Sequence, residues 1–194
     1  MGRAYFAWLR CAAVSETADR YRKVAAGFTE RAEAVPPEGW DQPAPCEGWR
    51  ARDVVRHLID STGFFVGRVG VDLPTGPSAD DDPLGAWEAV RDATQAVLDD
   101  PEVAGREIES PLGDATLEAL IGRYGVADVL IHTWDLARAT GLDETLDADE
   151  VRRAYELMLP NDEMMRGTAF GPKVDVPDDA DPQTKLIAFT GRLP

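Results

Sequence analysis

The chain has 194 residues, enough for one domain with an appendage and a real hydrophobic core. With 44% hydrophobic and 29% charged residues it is ordinary for a globular protein, which excludes global disorder. A formal charge of −16 argues against a nucleic-acid partner and an anionic membrane surface, because both need clustered Lys and Arg.

Met1 to Val14 joins an early arginine to an apolar run, but Arg10 interrupts that run too soon for a signal peptide. We read residues 1–14 as an N-terminal extension: an extra turn of helix, or a start codon set too far upstream of a native beginning at Ser15. Residues 15–194 then form a single domain. No apolar run approaches the ~18–20 residues of a membrane helix. Cys11 and Cys46 form neither a CxxC pair nor a dense framework, so a reducing, cytoplasmic setting is expected.

From Thr17 to Val35, apolar residues recur at Ala18, Tyr21, Ala25, Phe28, Ala32 and Val35. This alternating three- and four-residue spacing predicts a one-sided helix, stopped by Pro36-Pro37. A loop rich in Pro and Gly runs from Trp40 to Trp49. A second helix spans about Arg50 to Val69, with Val54, Leu58, Ser61, Thr62, Phe65 and Val69 inward and His57 toward the edge of the stripe. Arg50 stands where an N-cap Ser or Thr would be expected before Asp53, so the helix start should be slightly weak.

Residues 71–83 form a Gly/Pro/Asp loop in which Asp80-Asp81-Asp82 reads as a solvated run. Leu84 to Leu98 is the third helix, ended by Pro101. Ile108 to Leu112 is a short strand or an extended link. Thr116 to Thr140 is a long fourth helix closed by Gly141. Asp147 opens a fifth, with Val151, Ala154, Tyr155 and Met158 on one side, and Thr184 to Gly191 a last short one. Helices joined by loops, with little strand signal, predict an all-α bundle.

Only two histidines are present, His57 and His132. On a wheel advancing roughly 100° per residue, Asp128, His132 and Asp135 share a face with Leu117, Ile121, Tyr124 and Ala139. Three polar side chains on an apolar stripe are costly unless compensated, and a metal ion is one such compensation. Asp128 and His132, four apart, can grip one ion from one helix, with His57 as the third ligand from a neighbouring helix. Asp135 would then orient an imidazole or a bound water. The same spacing fits a core His132 bonded to Asp128 or Asp135 and an edge-of-core His57 bonded to a backbone carbonyl.

Two stretches carry a resemblance. Trp40-Asp-Gln-Pro-Ala-Pro-Cys-Glu-Gly-Trp-Arg-Ala-Arg-Asp-Val-Val-Arg-His-Leu58 and Asp128-Val-Leu-Ile-His-Thr-Trp-Asp-Leu-Ala-Arg-Ala-Thr-Gly141 resemble the actinobacterial family named after mycothiol-dependent maleylpyruvate isomerase, within the wider DinB-like metal-binding superfamily. The tail from Ala169 to Pro182 is similar to the close of short, mostly uncharacterised members. The resemblance implies a DinB-like four-helix bundle with a divalent ion, zinc or nickel, at one end of its core. It implies His57 and His132 as ligands. Where the isomerase pattern has Glu, this chain has Asp128, one methylene shorter. The isomerase carries a further C-terminal domain, for which this chain is too short; the resemblance implies mycothiol, a small thiol, as a cofactor.

Trp49 and Trp134 are candidates to line a substrate pocket, or plain core aromatics. Arg138 could meet an anionic substrate or pair with surface acids. Cys46 would need a lowered pKa to act as a nucleophile, and a structural turn cysteine is the simpler reading. The leading expectation is a metal-binding enzyme on a small molecule: a thiol-dependent transferase or isomerase, or a metal-assisted hydrolase. A noncatalytic ligand-binding scaffold and a dimerisation module use the same bundle, and fold analogy suggests a homodimer. An enzyme needs an open coordination position and a cavity beside it; a scaffold does not.

Overall fold

The computed structural model describes residues 15–109, 114–167 and 169–194; the proposed extension at 1–14 lies outside them. Helix α1 is Glu16–Ala34. Its cap is Ser15, whose hydroxyl accepts the Ala18 N–H, and it buries Ala18, Tyr21, Ala25, Phe28 and Ala32 as the spacing predicts. A 3₁₀ turn, Pro37–Asp41, opens the loop that leads to α2, Ala51–Gly67. Arg50 provides no side-chain acceptor, but the Asp53 carboxylate accepts the Arg50 N–H at 2.8 Å. The acidic half of a capping box is thus present, satisfying the Arg50 N–H, while the Asp53 N–H turns to the Arg50 carbonyl.

Helix α3, Pro83–Asp99, begins at a proline behind the Asp82 cap. It does not simply end at Pro101: Asp100 caps a further short turn, α4 at Pro101–Ala104, because proline suits the first position of a helix. Strand β1, Glu107–Ile108, pairs antiparallel with β2, Ala115–Thr116. Part of the extended segment read over 108–112 is therefore strand, and residues 110–112 lie outside the described residues.

The predicted fourth helix runs continuously but is not uniform. It comprises α5, Leu117–Leu120, a π-helical segment, Ile121–Gly125, and α6, Val126–Thr140. Gly141 stops it in the left-handed conformation at φ 70°. The π segment shifts the phase of α6 relative to a regular wheel. Helix α7 is Ala148–Met158, α8 is Asp162–Met165 and α9 is Pro182–Phe189.

The bundle closes as a ring: α1 packs on α3 and α6, and α2 packs on α3 and α6. Phe28, Leu58, Trp87, Leu117 and Leu136 fill its centre. The Trp87 indole N–H donates to the Thr29 hydroxyl at 2.8 Å, satisfying a buried donor. Helices α7 and α9 pack on each other, and α7 rests on α6. Arg20 of α1 forks onto the buried Glu150 of α7 at 2.6 and 2.9 Å, holding this second layer in place. Acidic caps recur at Asp82, Asp100, Asp147 and Asp181, so part of the negative charge works at helix N-termini. No described helix is long and apolar enough to cross a membrane.

After α9 the chain turns at Gly191, φ +84°, where an added Cβ would stand 2.9 Å from the Pro172 carbonyl oxygen. Both the conformation and the contact require glycine. Gly191→Ala is expected to destabilise the protein by at least ~1–2 kcal/mol, read as a lower urea midpoint. An unchanged midpoint would show that this turn relaxes freely.

Candidate metal centre

Helix α2 presents His57 and, one turn on, Ser61; α6 presents Asp128, His132 and Asp135. Because α2 and α6 are neighbours in the ring, the two imidazoles meet, with ring centroids 4.6 Å apart. Asp128 Oδ1 lies 3.2 Å from His57 Nε2 and 3.4 Å from His132 Nε2. The other Asp128 oxygen accepts the Ser61 hydroxyl at 2.8 Å. That bond leaves Oδ1 aimed between the rings. Aspartate, one methylene shorter than glutamate, thus still reaches both histidines.

The donor set fits a divalent ion. Ligands at about 2.0–2.1 Å from a tetrahedral centre stand about 3.3–3.4 Å from one another. The two nitrogen–oxygen separations match that edge, and the three ligand atoms lie within 4.8 Å of one another. Two imidazoles and one carboxylate suit zinc and similar borderline ions.

On its other side, His132 Nδ1 lies 2.7 Å from Asp135 Oδ2. A carboxylate only accepts, so Nδ1 carries the hydrogen and Nε2 faces Asp128. Asp135 is fully buried, and Arg192 donates to both of its oxygens, from Nε at 2.7 Å and Nη2 at 2.6 Å. Arg192 Nη2 also donates to Cys46 Sγ at 3.3 Å.

Burial opposes charge on Asp128 and Asp135, but hydrogen bonds outweigh it. Those with His132 and His57 hold Asp128 well below the usual carboxylate range; those with His132 and Arg192 bring Asp135 down to about 2. Burial likewise opposes charge on His132, yet its hydrogen bonds to Asp128 and Asp135 raise it to about 9. Burial, reinforced by the Asp135 charge, pushes the Cys46 thiol up to about 11.

The centre forms one wall of a cavity of about 790 Å³. Trp49 covers both histidines, its ring centroid 5.2 Å from His57 and 5.8 Å from His132. Phe65, Tyr124, Met158 and Phe170 supply apolar wall, and Gly191 and Arg192 close the side nearest the C-terminal turn. Trp134 and Arg138 stand elsewhere. Trp134 is buried, with the Arg138 guanidinium stacked 4.7 Å from its ring centre. Arg138 pairs with Glu144 at 3.0 Å, and neither residue is among those lining the cavity.

The structure thus brings together Trp49, His57, Asp128, His132 and Asp135. Two partners were not assigned from sequence. Ser61 could have been, since it falls one turn after His57 on the same helix. Arg192 carries no local signal, because its position depends on the path of the tail.

Residues 21–137 match the family model described as the mycothiol maleylpyruvate isomerase N-terminal domain. The chain is also 30% identical over 156 residues to two uncharacterised Mycobacterium tuberculosis proteins: MT0763 of strain CDC 1551 / Oshkosh and Rv0738 of strain ATCC 25618 / H37Rv. In each case the match covers 77% of this chain and 83% of the relative. No solved structure matches the chain. The family match contains His57, Asp128, His132 and Asp135 and stops short of Arg192. This chain belongs to the mycothiol maleylpyruvate isomerase N-terminal domain family.

Proposed function

We propose that the protein is a divalent-metal-dependent enzyme acting on a small molecule, with zinc or nickel held by His57, Asp128 and His132. The observation that carries this reading is the placing of Asp128 Oδ1 at a tetrahedral-edge distance from both imidazole nitrogens, in the wall of a ligand-sized cavity. Three protein ligands leave a coordination position for water or substrate, the pattern of catalytic rather than structural sites. The bound ion would lower the pKa of a coordinated water or thiol toward neutrality and polarise a substrate carbonyl.

The chain's own residues provide the setting. Asp135 holds His132 in one tautomer, and Ser61 holds one oxygen of Asp128 so that the other faces the rings. Trp49, Phe65, Tyr124 and Phe170 exclude water and offer flat apolar surface to a substrate body.

The family name suggests mycothiol as the thiol, in a transferase or isomerase reaction. The state of Cys46 supports an external thiol. Its own sulfur is neutral at physiological pH and tied to Arg192 and Asp135, so thiol chemistry here draws on a second molecule. A metal-assisted hydrolase would use the same ligands with water in place of the thiol.

Protein purified without a polyhistidine tag is expected to carry about one zinc or nickel per chain by elemental analysis, and His132→Ala to carry almost none. Equal, negligible metal in both would defeat the reading. With mycothiol and a panel of electrophilic substrates, turnover is expected to vanish on chelation and return with zinc. Persistence of full activity in chelated protein would exclude the metal from the chemistry. Alkylation by iodoacetamide, followed at the Cys46 peptide, should be slow at pH 7 and still accelerating at pH 10, since a thiol titrating near 11 is protonated over that range. A plateau below pH 8 would mark Cys46 as an activated nucleophile instead.

A further inference from the structure

Two clusters of metal-competent side chains share His132. One is His57, Asp128 and His132; the other is Cys46, His132 and Asp135, and each has its ligand atoms within 4.8 Å of one another. They lie on opposite nitrogens of a single ring, Nε2 toward Asp128 and Nδ1 toward Asp135. The second cluster already contains a cation. The Arg192 guanidinium forks onto both oxygens of Asp135 and reaches Cys46 Sγ with the same Nη2. It sits where an ion bound by Cys46 and Asp135 would sit.

We propose that Arg192 is the positioning residue of this centre: it fills the cation position on the Nδ1 side of His132 and commits that ring to an ion on its Nε2 side alone. The inference rests on the metal-centre reading above. A fully buried carboxylate needs a partner, and a planar guanidinium meets both of its oxygens at once. With its second oxygen fixed, Asp135 can neither turn away from His132 nor accept a metal. The Nδ1 hydrogen then stays directed at Asp135, and Nε2 stays on the side of Asp128 and His57. The left-handed turn at Gly191, seated on the Pro172 carbonyl, and the Arg192 N–H donated to Ile187 at 3.2 Å aim the side chain inward.

The test compares the full-length wild type with Arg192→Met by two readouts. In metal-free protein labelled with ¹⁵N-histidine, only two ring systems contribute, His57 and His132. The wild type should show a slowly exchanging, downfield Nδ1–H from His132, and Arg192→Met should lose it. In cobalt titrations the wild type should bind one ion with no thiolate-to-cobalt absorption. Arg192→Met should bind that ion ~10–100-fold more weakly. It should also gain a thiolate band that Cys46→Ser removes. Should Arg192→Met fail to fold by circular dichroism, D135N/R192M leaves no charge stranded and is expected to show the same weakening without the band.

Wild-type protein that binds no cobalt would overturn the metal-centre reading and leave the ring signal to decide the role of Arg192. A variant that keeps the ring signal, one ion and wild-type cobalt affinity would overturn the role itself. A merely structural contact would lower the unfolding midpoint without moving the thiolate band or the ring hydrogen.

Discussion

A carboxylate with no exposed surface, Asp135, joins the two parts of this molecule. On one side it receives the Nδ1 hydrogen of His132, and on the other the fork of Arg192. A buried negative charge is tolerable only when such partners are present. The same charge therefore fixes the imidazole that faces the candidate ion and anchors the C-terminal turn to α6. Were the turn displaced, His132 would lose the support that sets its tautomer.

Around that contact, the bundle does simple geometric work. Neighbouring α2 and α6 each contribute an imidazole, and the four-residue spacing of Asp128 and His132 places a carboxylate between them. Ser61 and Asp135 each occupy a polar atom that would otherwise be free to turn. The result is a polar end in an otherwise apolar core, opening to a cavity whose wall includes Trp49, Phe65, Tyr124, Met158 and Phe170.

Much of this was legible in the sequence because it is local. The three- and four-residue spacing of Ala18 through Ala32 defined α1, and Gly141 marked the end of α6. The shared face of Asp128, His132 and Asp135 survived the π segment because all three residues lie beyond it. What could not be read locally depends on tertiary placement. Arg138 stands one turn and a half from His132 in sequence, yet its helix directs it to Trp134 and Glu144, away from the cavity. Arg192 looks like a tail arginine, and only the packing of α9 on α7 carries it to Asp135. The weak start expected for α2 is offset by Asp53, a compensation read from hydrogen-bond geometry rather than composition.

The contact between Arg192 and Cys46 spans 146 positions, and that between Arg192 and Asp135 spans 57. Loops of that length close late, because the entropy of bringing the ends together must be met before the contact forms. His57 and Asp128 are 71 positions apart, so ligand convergence also waits on assembly of the bundle. An ion that recognises this arrangement binds the native state and not the unfolded chain, and its binding free energy adds to conformational stability by mass action. A cation bound at the proposed centre would link its own availability to the integrity of the fold, with the far end of the chain as a participant in both.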